Sequence, residues 1–223
     1  YNNEDDYELD RNIMKSIKGL EGVPTDKSIW LTNEEVEFLI DYCLDNDELL
    51  KALYVSISYD SAARRNEVYQ VEKHNFLDKE LNYTNEVVGK RGKKFPLIFT
   101  ERTRKIALEY LRERGEDDID SLWVIEDNNG EKTQISDGLF YYWITTLRDP
   151  LLEFNQDDDK YEFSPHDLRR SSLENLENGS HYMLKEMGVD KLSLEMVQIF
   201  ARHSSVETTK RFYLISKADE EFN

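Results

Sequence analysis

The sequence predicts a mainly α fold with one small antiparallel β-sheet, an α+β arrangement, and three features carry that expectation. Apolar residues recur at helical spacing before residue 72 and again after residue 100. Between them, "HNFLDKELNYTNEVVGKRGKKFPLIFT" alternates and is broken by Asn, Gly and Pro, the pattern of short paired strands. Near residue 164, "SPHD" has the composition of a strong helix start.

Residues 1–28 carry Gly19, Gly22 and Pro24 and read as a helical stub followed by a linker. The chain opens on Tyr1 rather than Met, as a fragment or trimmed chain would. In "LTNEEVEFLIDYCLD" Thr32 is placed to cap a helix whose Val36, Leu39 and Ile40 share one face. A second helix is expected in "DELLKALYVSISY", with "ARRNEVYQV" continuing helically so that Glu67 falls on the same face as Arg64. The turn "GKRGKK" places Lys90 at or beside a hairpin tip. Helical patterns return in "TERTRKIALEYLRER" and through "SDGLFYYWITTLRDPLLEF". In "SPHDLRRSSLENLENG" Ser164 is the N-cap, Pro165 the first helical residue, Asp167 the capping-box partner and Gly179 the stop. "LSLEMVQIFARH" forms one more helix, and Ser204 or Ser205 restarts the chain into "VETTKRFYLIS".

Composition narrows the class. A hydrophobic content of 39% suits a folded chain, and no apolar run approaches the roughly 20 residues that span a bilayer. No signal-peptide pattern is present. The single cysteine, Cys43, excludes an internal disulfide and a multi-cysteine metal site, and reads as a buried structural thiol. An intracellular, cytoplasmic protein is the expectation. The net charge of −18 argues against a nucleic-acid partner only as a sum, because phosphate binding depends on local basic patches. Between Gly89 and Arg114 nine basic residues face three acids, a local balance of +6. Two explanations of the acidic total stay open: a source with high internal salt, or acids gathered on the face away from the bases.

The polar groups that attract interest each have an ordinary structural reading. Arg64 with Glu67 makes a salt-bridged helix, Lys90 a solvated turn lysine, His203 a cap and Tyr213 a core aromatic. His166 and Arg169 lie three residues apart on one helix face, close to a helix start whose dipole favours an anion. Taken in order, however, Arg64, Lys90, His166-x-x-Arg169, His203 and Tyr213 resemble the active-site series R–K–H-x-x-R–H–Y of the tyrosine recombinase, or phage integrase, family. The resemblance runs from Trp30 to Ser216. "SPHDLRRS" and "RHSSVETTKRFY" carry most of it, with support from "ARRNEV" and "VVGKRGKKFPL".

That resemblance implies the family's largely helical catalytic domain over residues 29–216. Residues 1–28 would then be a remnant of a preceding DNA-binding domain, and 217–223 an acidic tail. It also implies a site-specific recombinase of a mobile element, virus or plasmid, working on double-stranded DNA as a homotetramer on two sites. Arg64 and Arg169 would clamp the non-bridging oxygens of a phosphate, so that neither a metal nor another cofactor is required. Tyr213 would attack phosphorus, His166 would accept its proton, Lys90 would protonate the leaving 5′-oxygen and His203 would hydrogen-bond the phosphate. Arg65, Arg91, Lys93, Lys94, Arg170 and Arg202 are the expected DNA contacts. The chain departs from the family where Ala201-Arg202 precedes the second histidine in place of Leu-Gly. Phe212 also stands where some members place their tyrosine. A catalytically idle DNA-binding derivative and a type IB topoisomerase-like enzyme are the alternative readings.

Overall fold

The computed structural model describes residues 29–77 and 82–201. A nearly wholly buried helix, α2 (Leu49–Asp60), sits at the centre, because almost every side chain from Ala52 onward is apolar or small. Around it pack α1 (Asn33–Asp45), α4 (Glu101–Arg114), α5 (Gly138–Thr146) and α7 (Pro165–Asn178), with α3 (Arg65–Tyr69) following α2 directly. Leu39, Ile40, Leu53, Trp123 and Phe140 are fully buried in this core. Each such side chain contributes on the order of 1.5–3 kcal/mol. Cys43 lies here as expected, and burial pushes its thiol up to about 12.

Local signals explain the helix ends. Thr32 accepts from the Glu35 amide at 3.2 Å while the Glu35 carboxylate accepts from the Thr32 amide at 2.7 Å, a reciprocal cap on α1. The segment before α1 is tied to α7. The Leu31 amide donates to Ser171 Oγ at 2.8 Å, the Asn175 amide group to the Leu31 carbonyl at 3.0 Å, and the Trp30 indole to Asn175 Oδ1 at 3.0 Å.

Three expectations change. Residues 61–64 do not continue a helix: α2 stops at Asp60, Ala62 takes φ 45°, and Arg64 is extended before α3 begins. The run 136–154 divides into α5 and α6 (Arg148–Asn155), since Pro150 lacks an amide and its ring crowds the carbonyl four residues back. The sheet is two separate ribbons. One pairs β1 (Val87–Val88) with β2 (Lys94–Phe95), extended by a bridge between Tyr83 and Ile98, while Lys73–Phe76 coils into a 3₁₀ turn. The other, unanticipated, pairs β3 (Val124–Glu126) with β4 (Lys132–Gln134) across a turn at Asp127–Gly130.

A smaller core joins the end of α7 to α8 (Met183–Glu186) and α9 (Leu194–Phe200) through Leu176, Leu184, Leu192 and Phe200, and it includes Ala62. The turn after α2 thus touches both halves of the molecule. Among the described residues no helix is long and apolar enough to cross a membrane.

Candidate active site

The turn Ser61–Arg64 and the start of α7 meet at one open pocket, lined by Ala63, Arg64, Arg65, Tyr141, Ser164, Pro165, His166 and Arg169. Arg64, at the residue before α3, is held by Glu67: the buried carboxylate accepts from the Arg64 amide at 2.8 Å and from Nη1 at 2.9 Å. The sequence spacing was right, but the pair forms as a helix cap and not within a helix. At the start of α7, Asp167 Oδ2 accepts from the Ser164 amide at 2.9 Å and from Ser164 Oγ at 2.6 Å, fixing the first turn. His166 in that turn is exposed.

Arg169 comes from one turn further along and is only 5% exposed. Nη1 donates to the Ala62 carbonyl and Nη2 to the Ala201 carbonyl at 2.7 Å. These bonds use two of the five N–H groups of a guanidinium. They also fasten α7 to the turn that carries Arg64 and to the residue before Arg202 and His203. Burial, and then the neighbouring Arg64 charge, lower the Arg169 guanidinium to about 10, with Glu67 opposing. Two cations therefore share one pocket beside a helix N-terminus, a field suited to an oxyanion.

Lys90 lies in the turn Lys90–Gly92 between β1 and β2, exposed, with Arg91 at φ 65°. Its neighbour Gly89 packs closely on the same network: a Cβ there would stand 2.5 Å from the Phe95 ring and 3.0 Å from Glu67 Oε1. The base of the Lys90 hairpin is thus seated against the carboxylate that holds Arg64.

Arg91, Lys93 and Lys94 are exposed on the hairpin. Arg65 pairs with Asp137 at 3.3 Å on the pocket rim. Half-buried Arg170 lines an adjoining recess with His166, Arg169, Glu174 and Glu177. Arg202, His203 and Tyr213 lie outside the described residues.

The basic island is smaller than its sequence count. Arg104 and Arg114 are buried on the inner face of α4, and Arg102 and Arg112 pair with acids. Sequence reasoning also missed Tyr141 at the pocket and the two carbonyls that hold Arg169. Nothing in the local pattern distinguishes Tyr141 from the other aromatics of α5.

The phage integrase family matches residues 29–220. The chain belongs to that family. No curated protein sequence matches it. Among solved structures, this integrase-family chain is similar to XerA recombinase, with 20% identity and a TM-score of 0.51 over 86% of this chain and 66% of that one. It is similar to XerH site-specific recombinase in a post-cleavage complex with its palindromic difH substrate, with 18% identity and a TM-score of 0.54 over 92% and 56%. It also resembles the Tn1549 transposon integrase bound to transposon right end DNA, with 14% identity and a TM-score of 0.52 over 89% and 67%. At these identities the likeness is one of fold, the tyrosine recombinase catalytic domain. The chain spans less than two thirds of the XerA and XerH chains.

Proposed function

We propose that this chain breaks and rejoins double-stranded DNA at specific sites, through a 3′-phosphotyrosyl ester on Tyr213, without ATP or a metal. The observation that supports it is the convergence of Arg64, His166 and Arg169 on one pocket at the start of α7. Two guanidiniums side by side repel each other and are stabilised by an anion between them. A scissile phosphate is such an anion, and its non-bridging oxygens gain charge as a fifth ligand adds.

In this reading Tyr213 Oη gives its proton to His166 and bonds to phosphorus, and the bond from phosphorus to the 5′-oxygen breaks. Lys90 protonates the leaving oxygen, and His203 hydrogen-bonds the phosphate. The ester keeps the bond energy, so attack by a 5′-hydroxyl reverses the step and reseals a strand. The exposed hairpin cations Arg91, Lys93 and Lys94, with Arg65, Arg170 and Arg202, contact the DNA backbone. XerH and the Tn1549 integrase were solved with DNA, which supports duplex DNA as the partner here. The working assembly is a homotetramer on two sites inside the cell, serving a mobile element, virus or plasmid.

Covalent trapping tests this. The chain and its Tyr213→Phe variant are incubated with a pool of nicked duplexes, and protein–DNA adducts that survive denaturant are counted. An adduct formed only by the unaltered protein is the expected result. Binding of the duplexes with no adduct from either protein would sink the catalytic reading.

A further inference from the structure

Asp60, the last residue of α2, is completely buried. Its Oδ2 accepts from the Thr100 amide at 2.7 Å, from Thr100 Oγ1 at 2.8 Å and from Thr103 Oγ1 at 2.5 Å, and its Oδ1 accepts from the Tyr182 hydroxyl. Ser56 Oγ lies 2.5 Å behind Thr103 Oγ1 and completes the relay. One carboxylate therefore locks α2 to the N-cap residue of α4 and to Tyr182, the N-cap residue of α8.

The chain emerging from this lock is the turn Ser61–Arg64. Ala62 there has φ 45°, a conformation that a residue with a Cβ resists and that surrounding contacts must hold. The Ala62 carbonyl receives Arg169, and two residues later the backbone delivers Arg64. We propose that Asp60 is a positioning residue for the arginine pair, setting through this turn both the Arg64 guanidinium and the carbonyl that aims Arg169. The role rests on the reading of that pair as a phosphate clamp. Four converging donors need an acceptor-only group, which an ionised carboxylate is and an amide is not. Burial raises the Asp60 carboxyl above its usual range, and the four donors reduce that rise without cancelling it.

The test uses Asp60→Asn in the full chain, with arginine side chains labelled for NMR and inorganic phosphate as the probe. The expected result is a folded variant in which the Nε–H signals of Arg64 and Arg169 shift and phosphate affinity falls about tenfold. The rate of Tyr213 adduct formation at saturating DNA should fall at least tenfold, with DNA affinity unchanged within about twofold. A lower melting temperature with unmoved arginine signals and unchanged phosphate affinity would overturn the proposal and leave Asp60 a packing residue. If Asp60→Asn does not fold, Tyr182→Phe removes a single donor and is read the same way. Smaller shifts in the same signals support the proposal, and none overturns it. Should the unaltered protein form no adduct, the catalytic reading fails on its own, while the phosphate titration still decides what Asp60 does.

Discussion

Arg114 and Arg169 are both buried arginines near the ends of long helices, and they are handled in opposite ways. Arg114 Nε and Nη2 donate to Asp117 at 2.6 Å each, and Nη1 and Nη2 donate to the carbonyls of Ser121 and Ile119 at 2.6 and 2.7 Å. Burial alone would lower this guanidinium, but Asp117 and Tyr110 reverse the sign and raise it, while Arg114 holds the Asp117 carboxyl well below the usual range. Arg169 has carbonyls and a second cation for neighbours, and is lowered. A paired buried arginine staples a loop. In the function proposed above, an arginine kept beside another cation is there for an anion that arrives from outside.

Substituting each residue separates the two uses most sharply. Arg114→Met leaves Asp117 with Lys73 at 3.2 Å as a weaker cation partner and strands the carbonyls of Ser121 and Ile119, and should cost about 3 kcal/mol. In a domain of this size that is a fall of roughly 10 °C in melting temperature. Whatever remains folded should cleave normally. Arg169→Met removes a charge that is repelled by Arg64, so stability should change by no more than about 1–2 kcal/mol, the cost of two carbonyl hydrogen bonds. Cleavage should fall by on the order of 10²–10³ or more, the usual cost of losing a donor to a developing oxyanion. Melting curves and adduct-formation rates on both variants provide the check. Equal stability losses would abolish the distinction.

Glu67 is the point where the two regions come closest to alike, because it gives Arg64 a carboxylate of its own. Glu67→Gln should therefore move the Arg64–Arg169 pair further from the Arg114 pattern. The Arg169 guanidinium loses the carboxylate that raises it, and Arg64 exchanges that carboxylate for a neutral amide oxygen. Cleavage is expected to drop by about 10–100-fold, with stability lowered by roughly 1–2 kcal/mol for the weakened cap. An unchanged cleavage rate at saturating DNA would show that Glu67 does not orient Arg64.

How much of this was legible depended on how far apart the cooperating residues lie in sequence. Ser164, Pro165 and Asp167 announce the start of α7 because a helix cap is made by near neighbours, and the Arg64–Glu67 spacing is equally local. The break at Ala62 was hidden: no Gly or Pro marks it, and Asp60 is clamped by Thr100, Thr103 and Tyr182 from distant helices. The β3–β4 ribbon did carry a signal, since Asn129-Gly130 is a turn pair between short runs of strand formers. The internal role of Arg104 and Arg114 could also have been read, because both share helical register with the buried Ala107. Counting charge along the chain concealed what a helical projection of α4 would have separated.

His181 adds a third way to bury a basic side chain, which is to discharge it. Its ring stacks on Tyr59 at 4.1 Å, Nδ1 accepts from the Met183 amide at 3.1 Å, and burial lowers it to about 3, with the Tyr59 carbonyl opposing. An imidazole can shed its proton where a guanidinium cannot, so His181 is neutral where Arg169 stays charged. In the unfolded chain a histidine titrates near pH 6.5. Between that pH and about 3 the unfolded state binds a proton that the folded state excludes. The stabilisation is therefore complete above pH 6.5 and is lost as the pH falls, at up to about 1.4 kcal/mol per unit. His181→Phe keeps a ring on Tyr59 but removes the acceptor for Met183, so at pH 7.5 it should be less stable by about 1–2 kcal/mol. It has no proton to exclude, so its stability should fall less steeply, and the two proteins should converge as the pH drops to 5. Urea unfolding at pH 7.5, 6 and 5 measures both slopes, and parallel slopes would mean that His181 carries its charge when folded.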